Sequence, residues 1–231
     1  MHPPGPSGRQ PPLEQAPLFP VGLALEGRAC LVVGGGRVAA RKVAALLRCR
    51  ARVTLVAPEA HVALGLLSEQ GVIQAIEGPP LDVQLRPYAA GEAAAYRLVV
   101  TATGHPDVDA EVHRDAEEAG VWVNSADDPA HCSFQLPAVW RSGPVAVAVS
   151  TAGASPALAS WLRDRASAAL GPWVGTLAGL VADARDDLRA AGRATDTVDW
   201  AALFDGPLPG LVADGRLEEA RAALAEALAE P

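Results

Sequence analysis

Ala29-Cys30-Leu31-Val32-Val33-Gly34-Gly35-Gly36-Arg37-Val38-Ala39-Ala40-Arg41-Lys42 is the stretch on which the fold turns. Its first five residues are an uninterrupted apolar run, as a strand covered on both faces of a parallel sheet requires. Three glycines end the run. Beyond them Val38, Val43, Leu46 and Leu47 recur at helical spacing, with Arg41, Lys42 and Arg48 toward other faces. The segment therefore reads as strand, tight turn, helix, and inside it lies Gly34-x-Gly36-x-x-Ala39. Gly34 permits the turn, Gly36 admits an anion close to the backbone, and Ala39 is small enough for the helix to pack on the sheet. Amides without intrahelical partners at the helix start, at the positive end of its dipole, suit a pyrophosphate. In this setting the fingerprint predicts a dinucleotide site rather than a bare turn.

Working outward, Arg52 to Val56 is a second β-rich run stopped by Ala57-Pro58, followed by a helical stretch around 62–67 closed by Gly71. Val72 to Ile76 is the expected third strand, Leu98 to Thr103 the fourth, and Val121 to Asn124 the fifth, with a helix over Pro106 to Ala119 before it. Alternation of this kind predicts an α/β fold, a Rossmann-type doubly wound parallel sheet. Phe134 to Trp140 and Pro144 to Ser150, joined by Arg141-Ser142-Gly143, read as an antiparallel pair. After Ser155 only Ala- and Leu-rich helical stretches remain, at 155–170, 172–191 and 215–229. The expected organisation is a disordered Pro-rich tail (1–17), a nucleotide-binding domain (18–125), a small β region (126–154) and a helical domain (155–231).

Bulk properties narrow the function. A chain of 231 residues that is half apolar can bury a real core. A net charge of −8 argues against holding nucleic acid by phosphate neutralisation. No apolar run reaches the roughly 18 residues of a membrane span, and Met1-His2-Pro3-Pro4-Gly5 has no signal-peptide character, so a cytoplasmic protein is expected. Cys30, Cys49 and Cys132 form no CxxC pair and are expected as small buried residues. His61, His105, His113 and His131 lack ligand spacing, so no resident metal site is predicted, and no GxSxG elbow suggests a hydrolase.

Ligands of such sheets bind outside the strand carboxyl ends, which directs attention to four further segments. Glu59 lies just past the second strand, 23 residues after Gly36, where an acid would meet the adenosine ribose; it also reads as a helix N-terminal acid. No arginine follows that strand, which favours NAD over NADP. Thr101-Ala102-Thr103-Gly104 could face a nicotinamide or form a turn. Asp127 and Asp128, in Asn124-Ser125-Ala126-Asp127-Asp128-Pro129, could handle a proton or contact a metal, or be ordinary loop acids. In Ser150 to Pro156, Thr151, Gly153 and Ser155 could hold a carboxylate or cap the next helix.

Val32 to Lys42, Asn124 to Pro129, Cys132-Ser133-Phe134 and Ser150 to Pro156 together resemble the precorrin-2 dehydrogenase / sirohydrochlorin ferrochelatase family, the N-terminal module of siroheme synthase. The resemblance runs from about Phe19 to about Arg165. It implies NAD-dependent oxidation of precorrin-2 to sirohydrochlorin, followed in some members by insertion of ferrous iron. It also implies a homodimer whose interface includes the β region and the helical tail. Carried over by resemblance, cofactor contacts fall on Arg37-Val38 and Pro58-Glu59, and the functional aspartate on Asp127, which is expected to be the base. Asn124, Asp128, Arg141, Thr151, Gly153 and Ser155 fall on the substrate side. The tetrapyrrole's carboxylates call for local arginines, with Arg37, Arg141 and Arg163 as candidates. Ser125-Ala126 stands where the family has two hydrophobic residues, and Ala152-Gly153 where it has Gly-Gly; the added methyl is expected to narrow the pocket. No methyltransferase segment follows, so the methylated precursor is expected from another protein. Two competing readings are a redox-sensing NAD module without catalysis and an adenosylmethionine-dependent methyltransferase; Ala39 and the pyrophosphate-ready helix start favour a dinucleotide over the latter.

Overall fold

Five short runs pair into one parallel sheet: β1 (Ala29–Val33), β2 (Arg52–Ala57), β3 (Asp82–Leu85), β4 (Leu98–Thr101) and β5 (Trp122–Ser125), in spatial order β3-β2-β1-β4-β5. The computed structural model describes residues 18–69, 81–126 and 128–229. The expected tail 1–17, the expected strand Val72 to Ile76 and Asp127 lie outside the described residues. The strand that pairs with β2 is Asp82–Leu85, with Leu55 opposite Val83. It escapes a search for apolar runs because it is a four-residue edge strand in which Asp82 and Gln84 alternate with half-buried or exposed apolar residues.

Alternate residues of β1 feed two cores. Cys30 and Val32 face α1 (Arg37–Arg48) and α2 (His61–Glu69), packing with Ala39, Val43 and Leu67. Leu31 and Val33 face α3 (Pro106–Glu118), packing with Val112 and Ala116. Leu31, Val43, Leu67 and Val112 are fully buried, each worth roughly 1.5–3 kcal/mol on removal from water. Because the strand order reverses between β1 and β4, a crevice over their carboxyl ends is dictated by topology.

The chain parts between Gln135 and Leu136 into two compact units. In the second, β6 (Ala138–Ser142) and β7 (Val145–Val149) form an antiparallel ribbon, with Ser142 opposite Val145. The connection is thus Gly143-Pro144, shorter and later than the Arg141-Ser142-Gly143 expected, and Gly143 takes φ +53°. The ribbon packs on α4 (Pro156–Leu170) and α5 (Trp173–Ala190). Ser142 Oγ donates to Pro172 O at 2.5 Å, and a Cβ on Gly175 would lie 2.5 Å from that hydroxyl, which is why glycine stands there. Two short helices, α6 (Trp200–Asp205) and α7 (Leu208–Ala213), precede α8 (Leu217–Ala229). Sequence periodicity missed both, since six residues make under two turns. The cap of α6 was the available signal: Asp199 accepts from Ala202 N at 3.0 Å. Ala184, Leu208, Val212, Ala220 and Leu224 form this unit's core. Among the described residues no helix is long and apolar enough to cross a membrane.

Candidate functional site

The glycine turn after β1 is clamped on three sides. Gly34 N donates to Val56 O of β2 at 2.9 Å, and Gly34 takes φ +130°, a conformation L side chains rarely adopt. A Cβ at Gly34 would stand 2.3 Å from Ala102 O, past the end of β4. Gly35 is tighter still. Its Cβ would fall 1.7 Å from Glu59 O, and its carbonyl accepts from Ala63 N of α2 at 3.0 Å. Gly36 is different: a Cβ there meets nothing within 4 Å. The turn is thus pressed against protein at Gly34 and Gly35 and open at Gly36, where α1 begins without a side-chain cap or a first-turn acid. This is a cradle for an anionic group, with Arg37 exposed beside it, Val38 half-buried and Ala39 buried against the sheet. Sequence reasoning treated Gly35 as the variable position of the motif; the run of three glycines was the signal for it.

Pro58 and Glu59 follow β2 on the same rim, with the Glu59 carboxylate exposed and 3.9 Å from His61 Nδ1. At the end of β4, Thr101 is wholly buried and its hydroxyl donates to Asp109 Oδ1. Thr103 Oγ donates to the same oxygen at 2.7 Å and accepts from His105 N at 2.9 Å. Both threonines therefore brace the turn into α3, and Asp109 of α3 is the bracing residue that the sequence left unremarked.

Past β5 the chain doubles back on itself. Asn124 is buried and bridges to Cys132; its Nδ2 donates to Phe134 O at 3.1 Å, and its Oδ1 accepts from Lys42 Nζ of α1 at 3.5 Å. The Arg41-Lys42 pair that follows the glycines is thereby tied to the β5 loop. Cys132 Sγ accepts from Ser125 N at 3.2 Å and lies 3.2 Å from Ser125 O and 3.3 Å from Asp128 O. It is half-buried rather than sealed in the core, and burial pushes its thiol above the ordinary value. Ser133 Oγ caps the return, accepting from Val123 N at 2.7 Å. Asp128 has both carboxylate oxygens engaged: Oδ1 accepts from Ala130 N at 3.1 Å, and Oδ2 lies 2.5 Å from His131 Nδ1. The His131 hydrogen bond holds the Asp128 carboxyl below the usual carboxylate range. Asp127 lies outside the described residues. Among the described residues no three His, Cys, Asp or Glu side chains gather as a metal centre would require.

The remaining predicted residues belong to the second unit. Arg141 is exposed on β6, and Arg163 of α4 is paired with its neighbour Asp164 at 2.7 Å. Thr151 Oγ accepts from Ser155 N at 3.1 Å, and Ser155 Oγ caps α4 by accepting from Leu158 N at 3.1 Å. Between them Ala152 and Gly153 have φ +49° and +84°, so the departure from Gly-Gly puts a side chain in a left-handed turn.

A parallel sheet with an open glycine cradle at its switch point matches what sequence comparison finds. Residues 21–138 fit the profile of the family described as "Putative NAD(P)-binding", and residues 142–165 that of "Sirohaem biosynthesis protein central". The chain belongs to the family described as putative NAD(P)-binding. Among relatives of this family member, the siroheme synthase of Methylococcus capsulatus is 38% identical over 212 residues, covering 90% of this chain and 43% of that protein. The siroheme synthase of Thioalkalivibrio sulfidiphilus is 39% identical over 214 residues, covering 91% and 42%. The chain thus spans less than half the length of the curated relatives it matches. The solved structure of SirC, a precorrin-2 dehydrogenase, superposes with a TM-score of 0.62 at 23% identity, covering 92% of this chain and 98% of SirC; that likeness is one of fold.

Proposed function

We propose that this chain binds NAD over the carboxyl ends of β1 and β4 and oxidises precorrin-2 to sirohydrochlorin. The observation that carries the reading is the contrast within the glycine turn, packed at Gly34 and Gly35 and open at Gly36, beside a braced loop after β5. The names of the siroheme synthases and of SirC support the substrate. Bound NAD supplies a hydride acceptor. The backbone of Gly36, Arg37 and Val38 holds the pyrophosphate, with Ala39 keeping α1 on the sheet. Glu59, with Pro58 setting its place, takes the ribose hydroxyls. Thr101 and Thr103 hold the turn under the nicotinamide through Asp109. Asp127 takes the proton, and Asn124 and Asp128 fix its loop. In the second unit, Arg141, Thr151, Gly153 and Ser155 are the residues for the macrocycle's carboxylates. Ferrous iron, on this reading, is a second substrate, inserted after oxidation.

The active form is a homodimer. Leu158, Trp161 and Leu162 recur at i, i+3 and i+4 on α4 with between 38% and 56% of their surface exposed, and Val139 is exposed on the outer face of the ribbon. A second copy covering these residues would remove the apolar surface from water. The assignment of Asp127 is tested by Asp127→Ala. NAD affinity stays within about twofold while turnover falls at least about a hundredfold, as loss of a general base does. Unchanged turnover would show that the acid has no part in the chemistry.

A further inference from the structure

A second concave site lies at the opposite end of the sheet from the glycine turn. The strands β1, β4 and β5 begin there, with Arg28 before β1, Arg97 before β4 and Trp122 opening β5. Together with Leu23, Leu25 and Leu98 these residues line a cavity of about 420 Å³. That size falls within the range of about 300–1,000 Å³ typical of sites that take small molecules. Its walls are fixed in advance. Arg28 N donates to Leu25 O at 2.9 Å, Arg28 O accepts from Arg52 N at 2.9 Å, and Arg97 N donates to Ala29 O at 2.8 Å. Leu98 is buried and Leu25 packs on the core beneath. The Trp122 ring is held edge-to-face by Phe134, with centroids 6.5 Å apart, yet 44% of the residue stays exposed. No residue lining the cavity is acidic. Among the described residues neither guanidinium has a carboxylate partner, and Glu26, the acid nearest Arg28 in sequence, is turned to Arg50 at 3.1 Å. In a chain of net charge −8, two arginines left unpaired in one cavity reverse the local sign.

We propose that this cavity at the amino ends of the strands is a binding site for a small organic acid built on a flat ring. The ring lies against Trp122 and the leucines, and the carboxylate is held by Arg28 and Arg97. A guanidinium grips a carboxylate through two parallel N–H···O bonds, while the indole supplies flat apolar area at little cost in side-chain freedom. Binding is noncovalent and alters no bond. The strands β1 and β4 carry the glycine turn and Thr103 past their other ends, so the occupant of this cavity has no part in the oxidation proposed above. Both halves of the ligand are needed. A neutral ring of the same shape leaves both guanidinium groups without a partner, and an anion without a ring leaves Trp122 in water. Because Arg28 and Arg97 are exposed, the ionic half of the affinity weakens as salt rises.

The probe is 2-naphthoate, a bicyclic carboxylate, titrated into the full chain and followed by NMR at the Trp122 indole N–H, a signal assigned by its loss in Trp122→Phe. Saturable binding is expected with a Kd below about 1 mM. Acetate, which lacks the ring, and 2-naphthalenemethanol, which lacks the charge, should each bind at least about tenfold more weakly. Arg28→Ala and Arg97→Ala remove exposed side chains that touch no core residue, so the thermal midpoint is expected to stay in place as the check on folding. Each should weaken 2-naphthoate at least about fivefold, and Arg28→Lys, which keeps the charge and loses the paired donors, should fall between parent and Arg28→Ala. A Trp122 signal that shows no saturable shift up to about 10 mM probe would overturn the proposal. So would equal affinity for the alcohol, or parental affinity in the double variant Arg28→Ala with Arg97→Ala.

Discussion

At the residue scale, the three consecutive glycines have three different jobs, and substitution separates them. Gly36→Ala keeps its backbone at φ −93° and meets no neighbour, so the fold is expected to hold within about 0.5 kcal/mol. On the proposed binding mode the methyl stands where the pyrophosphate approaches, and NAD affinity should fall at least about tenfold, or roughly 1.4 kcal/mol. Gly35→Ala drives a methyl into Glu59 O and should destabilise by about 2–3 kcal/mol in urea unfolding, with binding lost as a consequence. Equal stabilities for the two variants would contradict this division. Ala152→Gly reverses the usual sign of an Ala-to-Gly change. Relief of the left-handed strain at φ +49° outweighs the added chain entropy, for a gain of about 0.5–1 kcal/mol read as a higher Tm. Asp128 supplies a pH test. Its folded carboxyl is held below the unfolded value of about 3.9, so its contribution is present above that value and lost as pH falls through the folded one. Asp128→Asn should therefore cost stability at about pH 7 and cost progressively less as the pH falls below the unfolded value of about 3.9.

At the scale of elements, the sequence announced whatever is buried on a regular period. The strands β1, β2, β4 and β5 and the helices α1, α3, α4 and α5 fall within a few residues of their expected places because each presents an apolar stripe or run to a core. Edge strand β3 and helices α6 and α7 do not, being short and half covered. The site was legible in the same proportion. Gly34, Gly36 and Ala39 were named by the motif, and of these Gly34 is the one whose backbone, at φ +130°, admits few residue types. Lys42, Asp109 and Cys132 act across 82, 8 and 7 residues of chain on Asn124, Thr101 and Ser125, and no local pattern encodes such partnerships. α4 carries a prediction of its own. Trp161→Glu is expected to convert a dimer of the full chain to monomer by light scattering while leaving NAD binding to the first unit intact. A parent chain that is itself monomeric would contradict the dimer.

At the scale of the molecule, two units divide the labour. The first is built around a parallel sheet whose strand order places β1 beside β4, and every cofactor residue proposed here lies on one rim of it. The second carries a ribbon and five helices, with an apolar stripe left open on α4. Net negative charge on a chain proposed to grip a polycarboxylate requires that attraction be local, through arginines such as Arg141 rather than the field of the whole protein. The central claim is oxidation of precorrin-2, and it is tested most directly by anaerobic absorbance spectroscopy. Purified chain is mixed with precorrin-2 generated in situ, with and without NAD. The account predicts the sirohydrochlorin spectrum only when NAD is present, and a second, faster-than-background change on adding ferrous ion if iron is also a substrate. A folded, NAD-binding chain that leaves the precorrin-2 spectrum unchanged would contradict it.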